Sequence, residues 1–221
     1  MREVDLEALL PRIVKAAWET LVMLTGSFLL ASVLGLLLGL LLYATRPGNL
    51  LQNNITFTVL NFIINIIRPI PFLILAVALI PVTRALVGTS IGPVAVIPAL
   101  TVAASVAIAR IVESNLVAVD PGTIEAGAAM GARPWRILFT IVIPEALGPL
   151  VLGLTYILVA LVDATAVAGV LGGGGLGNLA MTYGYQRFDW FVVIVIVVLL
   201  IVLVQSAQLL GNRLSRKVIH R

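Results

Sequence analysis

Two ionisable side chains, Arg68 and Asp163, stand inside long apolar runs of this chain. A charge at membrane depth is costly, and where one persists it usually faces a bundle interior or an aqueous cavity. Arg68 opens the segment Arg68-Pro69-Ile70-Pro71, in which each proline removes a backbone donor and frees carbonyls for water or neighbouring helices. An interior structural or pathway role is favoured for Arg68 and Pro71. Arg68 lies about 11 residues into its run and could also snorkel to the interface. Asp163 could carry a proton, but no second intramembrane acid partners it. Its neighbours Ala160, Ala164, Thr165, Ala166, Ala168 and Gly169 are small enough for close helix contact, so packing or cavity lining is the stronger reading.

Other chemistry falls away by counting. With no Cys and a single His, His220, thiolate catalysis and any Cys/His metal site are excluded, and no cofactor is expected. Gly172 to Gly177 satisfies G-x-G-x-x-G literally, but it follows an apolar run where a strand is required, and Asn178 stands where a phosphate loop needs Lys. No Walker motif occurs, so any ATP hydrolysis belongs to a partner. Gly174 and Gly175 belong to either an irregular turn or a gate, with the turn the simpler reading.

The elements that must position these residues are helices in lipid. Of 221 residues, 61% are hydrophobic and 11% charged, against about 45–50% and roughly 25% in soluble domains. A net charge of +4 is scattered between apolar runs and forms no stripe for nucleic acid. A crossing takes about 20 apolar residues. Thr20–Ala44, Phe57–Ile80, Gly92–Val112, Leu147–Leu171 and Trp190–Leu210 qualify, giving an all-α protein with five transmembrane helices. The first is too long for a signal-peptide core. A further run, Ile137–Ile143, is too short to span and reads as an interfacial or docking segment.

Five spans place the termini on opposite sides. With the C-terminus in the cytoplasm, the inside collects eight basic residues, among them Arg46, Arg110, Arg133, Arg136 and the tail from Arg213 to Arg221. The outside then holds five: Arg2, Arg12, Lys15, Arg84 and Arg187. The positive-inside rule therefore puts the N-terminus out. Residues 1–15 form an extracytoplasmic segment, 16–211 the membrane domain and 212–221 a basic cytoplasmic tail.

The longest polar interruption, Glu113–Glu145, is cytoplasmic in this orientation. Asp120 can cap a helix whose first residue is Pro121, running through Glu125 and Ala126 towards Gly131. Glu125 supplies negative charge near the helix start, where the macrodipole favours it. Arg133-Pro134 should break that helix, and a second short one can follow from Pro134 at an angle to the first. The first helix carries Ala126, Gly127, Ala128, Ala129 and Ala132, small residues that suit either docking into a cleft or a bland Ala-rich interfacial helix.

Glu125-Ala126-Gly127, then Gly131, then Ile141-Val142-Ile143-Pro144 resembles the EAA loop of bacterial ABC importer permeases. Trp18-Glu19-Thr20-Leu21, Tyr43 to Gly48, Ile80 to Arg84, Val87 to Gly92, Gly173 to Gly177 and Tyr183 to Phe188 resemble the methionine-importing members. The resemblance implies a type I permease fold with Glu125, Ala126, Gly127, Gly131, Ala132 and Arg133 as the coupling helix in a groove of the ATPase. It also implies a homodimer with two ATPase subunits and an extracytoplasmic substrate-binding protein. Pro69, where Ser is usual, and Asp163, where a small neutral residue is usual, depart from the pattern and leave the coupling role untouched.

Overall fold

The computed structural model describes residues 6–49 and 51–219. Arg2, His220 and Arg221 lie outside the described residues. Among the described residues there is no strand. The helices are α1 (Leu6–Thr45), α2 (Asn54–Ile67), α3 (Phe72–Ala78), α4 (Ile80–Val87), α5 (Pro93–Val117), α6 (Pro121–Ala129), α7 (Pro134–Ile137), α8 (Ile143–Ala168), α9 (Gly175–Leu179) and α10 (Trp190–Ile219). Widened π turns occupy Leu138–Val142, Gly169–Gly173 and Ala180–Tyr185.

Four helical stretches are long and apolar enough to cross a membrane: Leu9–Thr45, Pro93–Val117, Pro134–Gly173 and Trp190–Val218. The last has a mean hydropathy of 3.0 over its most apolar window, of which only 11% is buried, so this chain itself leaves most of that apolar surface uncovered. The fifth expected span is not one helix. α2 and α3 are bent by 106° across the break at Arg68–Pro71, because Pro69 and Pro71 cannot donate to the preceding turn and Pro71 adopts φ −55, ψ 137.

The polar interruption Glu113–Glu145, expected to carry two short helices, is helical over still more of its length. α5 carries Glu113 and ends at Val117, and Glu145 lies in α8. The helix expected to be short after Pro134 runs on through the π turn at Leu138–Val142 into α8, a stretch of 40 residues. Ile137–Ile143 is therefore the front of the fourth span and not a separate docking segment. An apolar run too short to span alone lengthens its neighbour when no Gly or capping residue stops it. α1 likewise begins at Leu6 and α10 reaches Ile219, so most of the flanking segments expected at 1–15 and 212–221 are helical.

The chain forms two compact units. One comprises Pro71–Ala103, Leu158–Ala207 and the described part of Met1–Leu30; the other comprises Ala31–Ile70, Ala104–Ile157 and the described part of Gln208–Arg221. In the first unit Leu9, Ala16, Leu176, Leu179, Val192 and Ile196 make a buried cluster. In the second, Leu42, Ile64, Val106 and Ala109 do so. There α1 and α5 approach through a small-residue step, Gly35-x-x-x-Gly39. A Cβ on Gly35 would stand 2.5 Å from Ile108 Cβ and 2.8 Å from the Ser105 carbonyl, and one on Gly39 would stand 2.5 Å from Val112 Cβ and 2.7 Å from the Ala109 carbonyl. Since lipid tails are as apolar as leucine, close backbone packing of this kind is what holds membrane helices together.

Gly39→Leu must push backbone apart, so it should destabilise the permease by about 1–3 kcal/mol. The check is a lowered thermal midpoint in detergent, with Val33→Leu, at an exposed position of the same helix, not sharing the α1–α5 defect.

Candidate functional site

The connector between α5 and α8 is built from its capping residues. Asp120 accepts from the Gly122 N–H at 2.9 Å, and Pro121 takes the first helical position, so α6 starts where the sequence places it. Its end is fixed by Gly131, at φ +76. The Gly131 N–H donates to the Ala128 carbonyl at 2.9 Å and the Ala132 N–H to the Gly127 carbonyl at 3.2 Å, the pairing that closes a helix through a left-handed residue. Arg133 then turns to extended geometry, φ −66 and ψ 149, before Pro134.

Gly127 is the one buried residue of α6. A Cβ there would meet the Ile141 side chain at 2.8 Å and the Ile137 side chain at 3.5 Å, so the glycine lets α6 lie down on α7 and the π turn. The opposite face, with Glu125, Ala126, Ala128 and Ala129, is exposed, and Met130 at its tip is 80% exposed. Ala132 is half-buried and Arg133 exposed. Glu125 stands fifth in α6, past the first turn, where the macrodipole no longer favours a carboxylate strongly; Asp120 supplies the N-terminal charge instead. Trp135 in α7 and Phe139 in the π turn stack with ring centroids 6.2 Å apart.

The glycine-rich segment holds more than a turn. Gly172, Gly174 and Gly175 have φ of +97, +78 and +77, conformations that only glycine adopts without strain. The start of α9 that follows is capped by α1: the Gly175 N–H donates to Glu19 Oε2 at 2.7 Å and the Leu176 N–H to Thr20 Oγ1 at 2.9 Å. A Cβ on Gly174 would fall 2.5 Å from Glu19 Oε2. The Glu19 side chain is 20% exposed and has Lys15 Nζ at 3.9 Å. Sequence reasoning passed over Glu19 as a site residue. The available signal was an acid at the mouth of an apolar helix, in a chain whose glycine turn leaves N–H groups in need of acceptors.

Arg68 ends α2 and is exposed. Asp163 is also exposed and pairs with no cation among the described residues. The expected helix–helix contact at Asp163 is thus not made within its own unit; the small residues around it are split between the exposed face with Ala160 and a buried face with Thr165 and Ala168. A third polar group went unread in the sequence. Arg110 donates to Glu113 Oε2 at 2.6 Å, to Asn65 Oδ1 at 2.6 Å and to Asn61 Oδ1, while Arg46 lies 3.7 Å from Glu113.

A helical membrane bundle with a capped, outward-facing small-residue helix on its longest connector is the architecture of a transport permease. The profile of the family described as binding-protein-dependent transport system inner membrane component matches residues 31–220, and the chain belongs to that family. Its fold is the type I ABC importer permease fold, and it is a multi-pass inner-membrane component. The chain is 44% identical over 206 residues to the probable D-methionine transport system permease protein MetI of Vibrio cholerae, covering 93% of this chain and 92% of that one. It is 42% identical over 181 residues to the methionine import system permease protein MetP of Bacillus subtilis, covering 82% of each. A solved structure of the MetNI methionine ABC transporter in inward-facing conformations contains a chain that superposes with a TM-score of 0.91 at 44% identity, over 99% of both chains.

Two outcomes follow from these caps. Gly131→Val forces a β-branched residue into left-handed geometry at a cost of about 1–2 kcal/mol, so limited trypsin digestion after the exposed Arg136 should quicken roughly tenfold, while Gly131→Asn changes it little. Glu19→Ala strands the Gly175 N–H and should cost about 1–3 kcal/mol in detergent melts, with Glu19→Gln, which keeps an acceptor, losing less.

Proposed function

We propose that this chain is the membrane subunit of an ATP-driven importer that brings methionine, in L and D forms, into the cytoplasm. Support comes from the methionine-transport names of its relatives over nearly the whole chain and from its likeness to a permease chain of a methionine ABC transporter. The observation within the chain that carries the coupling role is α6, rigidly closed at both ends and presenting Glu125, Ala126, Ala128 and Met130 outward.

In this reading two copies of the chain pair with two cytoplasmic ATPase subunits and take substrate from an extracytoplasmic binding protein. The N-terminus is outside and the C-terminus inside, so that α6 faces the ATPase. Glu125, Ala126, Gly127, Gly131, Ala132 and Arg133 form the coupling elbow, in which Gly127 and Gly131 set its shape and the others its contact surface. ATP-driven closure of the ATPases moves α6 as a rigid body, and the continuous stretch from Pro134 to Gly173 carries that movement into the spans. Arg68, Pro71, Asp163, Gly174 and Gly175 belong to the substrate pathway or its gate. The exposed face of α8 around Asp163 is the surface on which the second copy and the pathway meet. Hydrolysis rests with the partner ATPase.

Gly131→Arg places a long cation on the elbow and should abolish co-purification of the ATPase together with methionine uptake. Retention of both would overturn the coupling role. Uptake by the chain alone in proton-loaded liposomes, lost in Asp163→Asn, would instead make it a proton-coupled carrier.

A further inference from the structure

The polar group around Arg110 lines a cavity of about 670 Å³ that no part of the coupling mechanism uses. Its charged walls are Arg46, Arg68, Arg110 and Glu113, three cations against one carboxylate, a surplus of +2. Glu113 is nearly saturated, taking Arg110 at 2.6 Å and Arg46 at 3.7 Å. Asn61 and Asn65 give their carbonyl oxygens to Arg110, so neither is left to neutralise anything. Arg68 makes no ion pair among the described residues, and the Arg46 side chain is 45% exposed. The Nε of Arg110 is buried without a partner.

Such a surplus cannot face lipid tails, where a single unpaired guanidinium is already costly. The polar positions Asn61, Asn65 and Arg68 recur at helical spacing along α2, so they form one stripe that extends about 10 Å along the helix axis. This is too long for a shallow headgroup contact and suits a water-filled passage. Guanidinium pairs carboxylate through planar, two-pronged hydrogen bonds, and a cleft lined by one sign of charge concentrates the opposite sign within it.

We propose that this cavity is an aqueous vestibule that receives the carboxylate of a small zwitterionic amino acid on its way through the permease, with Arg68 the free cation that meets it. The identity of that amino acid as methionine rests on the function proposed above; the vestibule itself does not. Arg110, held by Glu113, Asn61 and Asn65, is a positioning residue that fixes the field, and Arg46 marks the other wall.

The chain has no cysteine, so Ser114→Cys, at an exposed position lining the cavity, gives this chain a unique reporter. The complex isolated from membranes is placed in nanodiscs of neutral phospholipid. The permease is then labelled with a sulfonate-bearing and a trimethylammonium-bearing methanethiosulfonate, each rate normalised to a free thiol. A vestibule of the proposed charge makes the sulfonate reagent faster by roughly tenfold, and Arg68→Gln or, as a second variant, Arg46→Gln brings the ratio severalfold towards unity. Millimolar methionine slows labelling, whereas methioninol, which lacks the carboxylate, does not. A ratio of unity, a thiol that does not react, or equal protection by methioninol overturns the proposal. So does protection that appears only when phosphatidylglycerol is added, which would give the site to a lipid phosphate. Protection by alanine but not by methionine would support the carboxylate site while overturning methionine as the cargo.

Discussion

In the hydrocarbon core of a bilayer an unmet backbone N–H or C=O costs several kcal/mol, and the layout of this chain follows from where its helices must stop. Several of the ends described above are closed by a named group. Asn53 accepts from the Thr56 N–H at 3.1 Å at the start of α2, Asp120 opens α6, Gly131 closes it, and Glu19 and Thr20 reach from α1 to open α9. The break at Arg68–Pro71 differs, since no side chain caps the start of α3. Pro69 and Pro71 lack the N–H that would close the preceding turn there, and Arg68 beside them lines the proposed vestibule.

The same constraint explains the glycines. In the second unit Gly35 and Gly39 let α1 and α5 meet almost backbone to backbone, and Gly127 does so for α6 upon Ile137 and Ile141. At Gly131 and Gly172 there is room for a Cβ, and the left-handed backbone itself selects glycine. One residue type therefore performs two jobs in this chain, and substitutions at the two kinds of site fail for different reasons.

Much of this was legible from residue order. The Asp120-Pro121 start of α6, its approach to Gly131 and the break at Arg133-Pro134 are local chemistry, set by capping and by proline's missing donor, and the sequence places them within a residue or two. The Gly35-x-x-x-Gly39 step is equally local, but two glycines four residues apart do not by themselves name the helix they meet. What sequence could not supply was pairing at long range. Glu19 and Gly175 stand 156 positions apart, and Arg110 and Asn61 stand 49 apart. The hint for the second was present in two polar pairs at helical spacing, Arg110 with Glu113 and Asn61 with Asn65, each stranded in apolar sequence and needing the other. Helix lengths were underestimated for a simpler reason: polar residues such as Glu113 and Arg213 mark the edge of the apolar layer, whereas helices continue past it into water and headgroups.

The π turn at Leu138–Val142 fixes an azimuth. An α-helix advances about 100° per residue, and a π turn accommodates one more residue than an α turn does. Removing one residue from this stretch while keeping the helix continuous would swing α7, and α6 resting on it, about a third of a revolution around the axis of α8. The exposed face of α6 would turn by the same angle relative to α8. One surplus residue thus works as a phase-setting shim, and the direction in which α6 turns its exposed face depends on that residue count as much as on the residues of α6 themselves.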